Sequence, residues 1–190
     1  MVQVYLVRHG ETEENVAHIL QGHLPGHLTA NGLQQAMQLR DALGHVHFDA
    51  LLSSPLDRAV RTARIVNEPH ARPIVTTPLL CERDWGSLTG TIVPKGGIAE
   101  MPADVETVEA MFARARTFLR LLIENHDGKT VLVVAHGLFN RVIQAALKHL
   151  TIRDIPPMGN AEVRCLQIDG WCETTASAGQ SSAVDIVSDR

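Results

Sequence analysis

Two largely apolar runs stand out along the chain, Val2-Gln3-Val4-Tyr5-Leu6-Val7 at the start and Thr130 to Ala135 in the last third. Both have the length of a strand and end abruptly in polar residues. The first breaks into Arg8-His9-Gly10-Glu11-Thr12 and the second into His136-Gly137. Near-continuous apolar composition is expected of strands covered on both faces, as in the middle of a parallel sheet. Three weaker strands read at Phe48–Leu52, at Pro73–Thr77, where flanking prolines predict an edge, and at Ala161–Ile168 after Asn160.

Helical spacing fills the intervals between these strands. Leu33, Ala36, Met37, Leu39 and Leu43 share one face of a helix that Gly44 ends, and Val108, Met111, Phe112, Ala115, Phe118, Leu119 and Leu122 stripe a longer one over 105–125 that Gly128 closes. Arg114 and Arg116 fall off that stripe and are expected in solvent. A further helix is predicted over 138–149. After the second strand, Ser54 is placed to cap a helix that starts at Pro55, with Asp57 completing a capping box. Residues 13–21 read as a short helix or ordered loop before the turn Gly22-His23-Leu24-Pro25-Gly26.

Strands that alternate with helices predict an α/β fold: a single three-layer domain with a mostly parallel central sheet and helices on both faces. In such sheets ligands bind beyond the carboxyl ends of the strands. The 190 residues suffice for one well-buried domain, expected over 1–172. Residues 173–190 form a Ser/Ala/Thr-rich tail with a weak alternation at Val184 to Val187, read as a mobile end or an added edge strand. The Pro- and Gly-rich stretch 91–104 reads as a lid over a pocket.

Composition narrows the partners. No apolar stretch approaches the ~20 residues that span a bilayer, and the start lacks the basic and small-residue pattern of a signal peptide, so no membrane partner and a cytoplasmic location are expected. A net charge of -4 argues against general nucleic-acid binding, which needs basic surface. Cys81, Cys165 and Cys172 have no CxxC spacing. The ten histidines, His18, His23, His27, His45 and His47 among them, show no ligand spacing, so neither a metal nor another cofactor is expected. Oligomeric state is left open.

The candidate chemistry sits where the strands end. Arg8-His9-Gly10 puts a fixed cation, a nucleophilic imidazole and a permissive backbone at one point, a combination suited to phosphoryl transfer. Five specified residues such as Arg8-His9-Gly10-Glu11-Thr12 arise by chance in roughly one chain of this length in ten thousand. Arg58 falls in the first turn of a helix, where the dipole disfavours a cation unless an anion binds beside it.

With Arg8-His9-Gly10-Glu11-Thr12 at its head, the chain resembles the histidine phosphatase superfamily, the phosphoglycerate-mutase-like enzymes, over residues 2 to about 168. The likeness continues through Ser53-x-x-Leu56-x-Arg58-Ala59-x-x-Thr62-Ala63, through Leu80, Glu82, Trp85, Gly86 and Gly90, and through His136, Gly137 and Arg141. It departs at Glu14, where an aromatic residue is usual, and at Leu88-Thr89 in place of an aromatic-glutamate pair. The resemblance implies a metal-independent phosphomonoester hydrolase that acts on a small phosphorylated metabolite through a phosphohistidine. His9 is the implied nucleophile and Glu82 the proton donor, with Arg8, Arg58, His136 and the amide of Gly137 on the transferring group. Asn15, Gln21, Gly22, His23 and Arg83 match substrate-facing positions. A phosphoglycerate-type mutase is the alternative, since Arg83 and Trp85 resemble mutase positions, and a catalytically idle phosphate-binding protein is a third. The loop at 91–104, with Lys95 as its sole basic residue, is short for a mutase. The physiological phosphomonoester is not specified by these motifs.

Overall fold

Val2–Arg8 (β1) and Thr130–Ala135 (β4) lie side by side and parallel in the middle of a five-stranded sheet, in a computed structural model that describes residues 1–93, 98, 100–169 and 171. The strand order is β3-β2-β4-β1-β5, with β2 at Ala50–Ser53, β3 at Ile74–Thr76 and β5 at Val163–Ile168. β2 pairs in parallel with both β4 and β3, whereas β5 runs antiparallel to β1. The sheet is therefore mostly parallel.

The helices are α1 (Glu13–Val16), α2 (Ala30–Leu43), α3 (Asp57–Asn67), α4 (Val108–His126) and α5 (Gly137–Lys148). Alternation along the central strands sends side chains to two cores. Val4, Leu6, Val131 and Val133 meet Met111, Phe118 and Leu122 of α4 and Phe139 and Ile143 of α5. Val7, Leu132 and Val134 meet Leu39 and Leu43 of α2 and Ala59, Ala63 and Val66 of α3 on the other face. Each fully buried leucine or phenylalanine here contributes about 1.5–3 kcal/mol. The expected three-layer α/β architecture is what the chain adopts.

Several local expectations shift. α2 starts at Ala30 because the Thr29 hydroxyl accepts from Gly32 N at 2.9 Å, and α4 starts after Thr107, whose hydroxyl accepts from Ala110 N at 3.1 Å. Val105, read as helical, instead packs with Leu20 and Trp85 under partly buried Val93, Ile98 and Met101 of the 91–104 stretch. Ser54 does not cap α3: the cap position is Leu56, and no side chain caps it. The backbone of the second residue of α3 is engaged from outside, Arg58 N donating to Pro25 O at 3.2 Å, so the helix entrance is held by the 22–26 turn instead.

Arg114 is not solvated. Its guanidinium pairs with Glu106 at 2.9 Å, donates to Leu79 O at 3.0 Å and Cys81 O at 2.6 Å, and lies 3.9 Å above the Phe139 ring. Helical spacing placed it off the stripe that meets the sheet, yet the segment before Glu82 crosses that flank of α4 and supplies carbonyls that need donors. The readings of residues 94–97 and 99 in the lid, and of the 173–190 tail, lie outside the described residues.

Candidate active site

The β1/β4 register pairs Arg8 with Ala135, so the residues next in line, His9 and His136, emerge together at the carboxyl end of the sheet. His9 N donates to Ala135 O at 3.0 Å. The two imidazoles lie 5.2 Å apart between centroids, tilted by 60°, and are 3% and 0% exposed.

His9 Nδ1 is 2.8 Å from Gly10 O. A carbonyl only accepts, so Nδ1 carries the proton and Nε2 keeps its lone pair. Burial, followed by the charges of Arg58 and Arg8, holds the imidazole pKa well below 6.5. The ring is therefore neutral at pH 7. Its strand end is locked by Gly10, whose amide donates to Thr62 Oγ1 at 3.1 Å while that hydroxyl donates to Arg58 O at 2.8 Å. A Cβ on Gly10 would fall 2.5 Å from Gly32 O at the start of α2, so only glycine permits this crossing.

Arg58, 1% exposed, reaches under the 22–26 turn. Its Nη1 donates to Leu24 O and its Nη2 to Gly22 O at 2.8 Å, while Nε has no partner among the described residues. Desolvation pushes its pKa down to about 10, against the opposing pull of Glu82 and Glu14, and it stays charged at neutral pH. Arg8 donates to Met158 O and lies against Gly137, where an added Cβ would sit 3.1 Å from Arg8 Nε.

Glu82 follows the 3-10 turn Pro78–Leu80. Its carboxylate accepts from Arg83 N at 2.9 Å, Phe139 N at 3.1 Å and Leu138 N at 3.2 Å, which seats it on the positive end of α5. The helix after His136 thus positions Glu82 as well. Gly137, the first residue of α5, has an amide without an acceptor inside the helix.

His136 is fixed by a 2.7 Å hydrogen bond between its Nε2 and Ser54 Oγ, and its buried Nδ1 has no partner among the described residues. Burial, then Arg58, His9 and Arg8, lower its pKa well below 6.5.

The remaining sequence candidates divide. Asn15 Oδ1 accepts from Thr12 N at 3.2 Å and from Asn160 Nδ2 at 3.1 Å, and Asn160 also donates to His9 O, which ties Asn15 to the backbone of the nucleophile candidate. Gly22 meets Arg58, and exposed His23 brings Nε2 to 3.1 Å from Glu82 O. Gln21 is buried, with Oε1 lacking a partner among the described residues. Arg83, 2% exposed, is engaged by Glu106 O at 2.8 Å and lies 4.6 Å over the Trp85 ring. Arg141 turns away, donating to Ile152 O and Ile155 O at 2.9 Å each. Reasoning from sequence missed the bond of Ser54 to His136 and the role of Thr62 under Gly10; the nearest signal was their place within the Arg58 motif. Among the described residues, no three His, Cys, Asp or Glu side chains are grouped to hold a metal, and no helix is long and apolar enough to cross a membrane.

Comparison with known proteins places these residues in context. The sequence pattern of the histidine phosphatase superfamily (branch 1) matches residues 4–179. The chain is 46% identical over 161 residues to the adenosylcobalamin/alpha-ribazole phosphatase of Salmonella typhimurium, which covers 77% of this chain and 80% of that protein. It is 32% identical over 181 residues to the Schizosaccharomyces pombe protein "Probable phosphatase C1620.13", covering 86% of this chain and 64% of the longer relative. The crystal structure of the alpha-ribazole phosphatase from Shigella flexneri superposes with a TM-score of 0.80 at 27% identity, over 88% of this chain and 91% of that one.

Proposed function

Because the chain belongs to the histidine phosphatase superfamily, branch 1, we propose that it hydrolyses the phosphomonoester of a small metabolite through a phosphohistidine formed on His9. The observation that carries this reading is a neutral, buried imidazole with a free Nε2 lone pair, held beside two arginines and a second histidine. His9 Nε2 attacks phosphorus, the P–N bond forms, and the P–O bond to the alcohol breaks. Glu82 delivers a proton to the leaving oxygen, then takes one from the water that opens the phosphohistidine. Inorganic phosphate leaves, and both His9 and Glu82 return to their starting states.

Charge on the non-bridging oxygens is met by Arg8, Arg58, His136 and the Gly137 amide, donors fixed before substrate arrives. Asn15, Gln21, Gly22, His23 and Arg83 flank the leaving group in this reading. The two arginines supply positive charge without a metal or other cofactor. Cys81 and Cys165, in no disulfide among the described residues, suit a reducing compartment, which supports a cytoplasmic site of action.

A mutase is the second reading, and one observation favours it: buried Arg83 keeps Nη1 without a partner among the described residues, a cation the protein does not fully engage. Relatives of both kinds occur, named as phosphatases and as probable phosphoglycerate mutases. The short 91–104 connection, with one basic residue, favours hydrolysis, since a mutase must shield its phosphohistidine from water. The test is phosphate release across a panel of phosphomonoesters, with 3-phosphoglycerate traced by 2,3-bisphosphoglycerate. Turnover with free phosphate supports the hydrolase; rapid conversion to 2-phosphoglycerate with little free phosphate overturns it.

A further inference from the structure

Ser54 occupies an unusual position for a residue before a helix. Its main chain continues β2, with Ser54 N donating to Val134 O at 2.9 Å, and its side chain is fully buried and turned across the strand end toward His136. Two groups contact the hydroxyl. Leu56 N donates to Oγ at 3.3 Å, and His136 Nε2 is 2.7 Å away.

A serine hydroxyl has one proton and two acceptor sites. The Leu56 amide can only donate, so it occupies the acceptor side of Oγ. Of the two partners only His136 Nε2 can accept, and the hydroxyl proton is directed at that shorter contact. A neutral imidazole that accepts at Nε2 must carry its own proton at Nδ1. Nδ1 is the atom left buried without a partner among the described residues, in the ring that faces His9 at 5.2 Å.

We infer that Ser54 is a positioning residue that holds His136 in the Nδ1–H tautomer, so that a neutral histidine donates a hydrogen bond to the transferring phosphoryl group. The inference rests on the reading of His136 as a phosphoryl ligand. It has a specific chemical consequence. With Arg8 and Arg58 nearby, a second imidazolium would be repelled, and burial lowers the pKa of His136 in the same direction. A tautomer set by a hydroxyl gives the site a third side-chain donor without a third charge. Accepting the Ser54 proton also stabilises the neutral ring, so loss of the hydroxyl should let His136 protonate more readily. The charged groups that bear on that titration are Arg8 in β1, His9 just after it, Arg58 from α3 and Arg114 from α4, with Glu82 on the amides of Leu138 and Phe139 beside them.

The experiment is nitrogen-detected NMR of the full chain labelled at its histidines, with His136 assigned by its loss in His136→Asn. At pH 7.5 the wild type should show a protonated Nδ1 and a bare Nε2. Ser54→Ala should average the two nitrogens. Its kcat should fall about tenfold to a hundredfold with little change in KM, the cost of an unfixed donor, and the acid limb of its kcat profile should move to higher pH. Ser54→Thr, which keeps the hydroxyl, should restore tautomer and profile. A wild-type His136 protonated at Nε2 overturns the inference whether or not Ser54→Ala folds, and so does a Ser54→Ala protein with unchanged nitrogen shifts and pH profile. Persistence of turnover in a His9 variant would instead fail the reading of His9 as the nucleophile, and leaves the tautomer measurement standing on its own.

Discussion

His9 and His136 share one buried space, their rings 5.2 Å apart, and neither can take a proton cheaply beside Arg8 and Arg58. Both folded pKa values lie well below 6.5. Between those values and 6.5 the unfolded chain binds protons that the folded chain does not, so this contribution to stability is complete above 6.5 and is lost as the pH falls below it. Urea midpoints measured from pH 8 to pH 5 should be flat and then decline, and His9→Gln should lessen the decline. A midpoint that rises toward pH 5 would contradict the assignment.

A nucleophile at His9 leaves a chemical trace. Rapid quench of the wild type with substrate should yield an acid-labile, base-stable phosphoenzyme that maps to His9, and His9→Ala should lose turnover by about a thousandfold or more. Label on any other residue would move the nucleophile elsewhere.

For Glu82 the informative variable is the leaving group. Glu82→Gln should slow alkyl phosphates by about 10²–10⁴, because their poorly acidic alcohols need a proton, and aryl phosphates far less. The single amide oxygen of the variant can still accept from Arg83 N and Phe139 N while Leu138 N loses its acceptor, so thermal unfolding should be measured beside the rates. Equal losses on both classes would remove Glu82 from the proton-donor role.

Turnover should survive prolonged dialysis against EDTA, since the positive charge at the site comes from Arg8 and Arg58. Loss of activity that Mg²⁺ or Zn²⁺ restores would require a metal in the reaction.

Arg114 allows a test read through stability. Arg114→Met keeps a stem to cover Phe139 but strands Glu106 and the carbonyls of Leu79 and Cys81. Chemical denaturation should show a loss of about 2–4 kcal/mol.

How far each feature could be read from sequence depends on the range of its interactions. Val2–Val7 with Arg8-His9-Gly10, and Thr130–Ala135 with His136-Gly137, are contiguous strings in which composition and motif coincide, so both strands and both histidines were legible. Glu82 was legible as a motif residue, but its seat on the amides of Leu138 and Phe139 joins positions 56 and 57 residues apart. Ser54 misled for a local reason: serine before proline reads as a helix cap, while its partner, His136, is 82 residues away. Arg114 misled in the same way, because a periodicity argument sees the face toward the sheet and not the loop that crosses the flank.

The adjacency of β1 and β4 has one more consequence. Each strand is followed directly by one histidine of the pair, and the two strands are largely buried and hydrogen-bonded to each other from Gln3 and Thr130 to Arg8 and Ala135. The two imidazoles therefore belong to the same cooperative unit as the core, not to a loop that can melt by itself. Amide hydrogens of residues 4–9 and 131–136 should exchange only through global opening. Denaturant should not produce a folded population with a scrambled centre: the geometry of the candidate site and the fold should be lost in a single event.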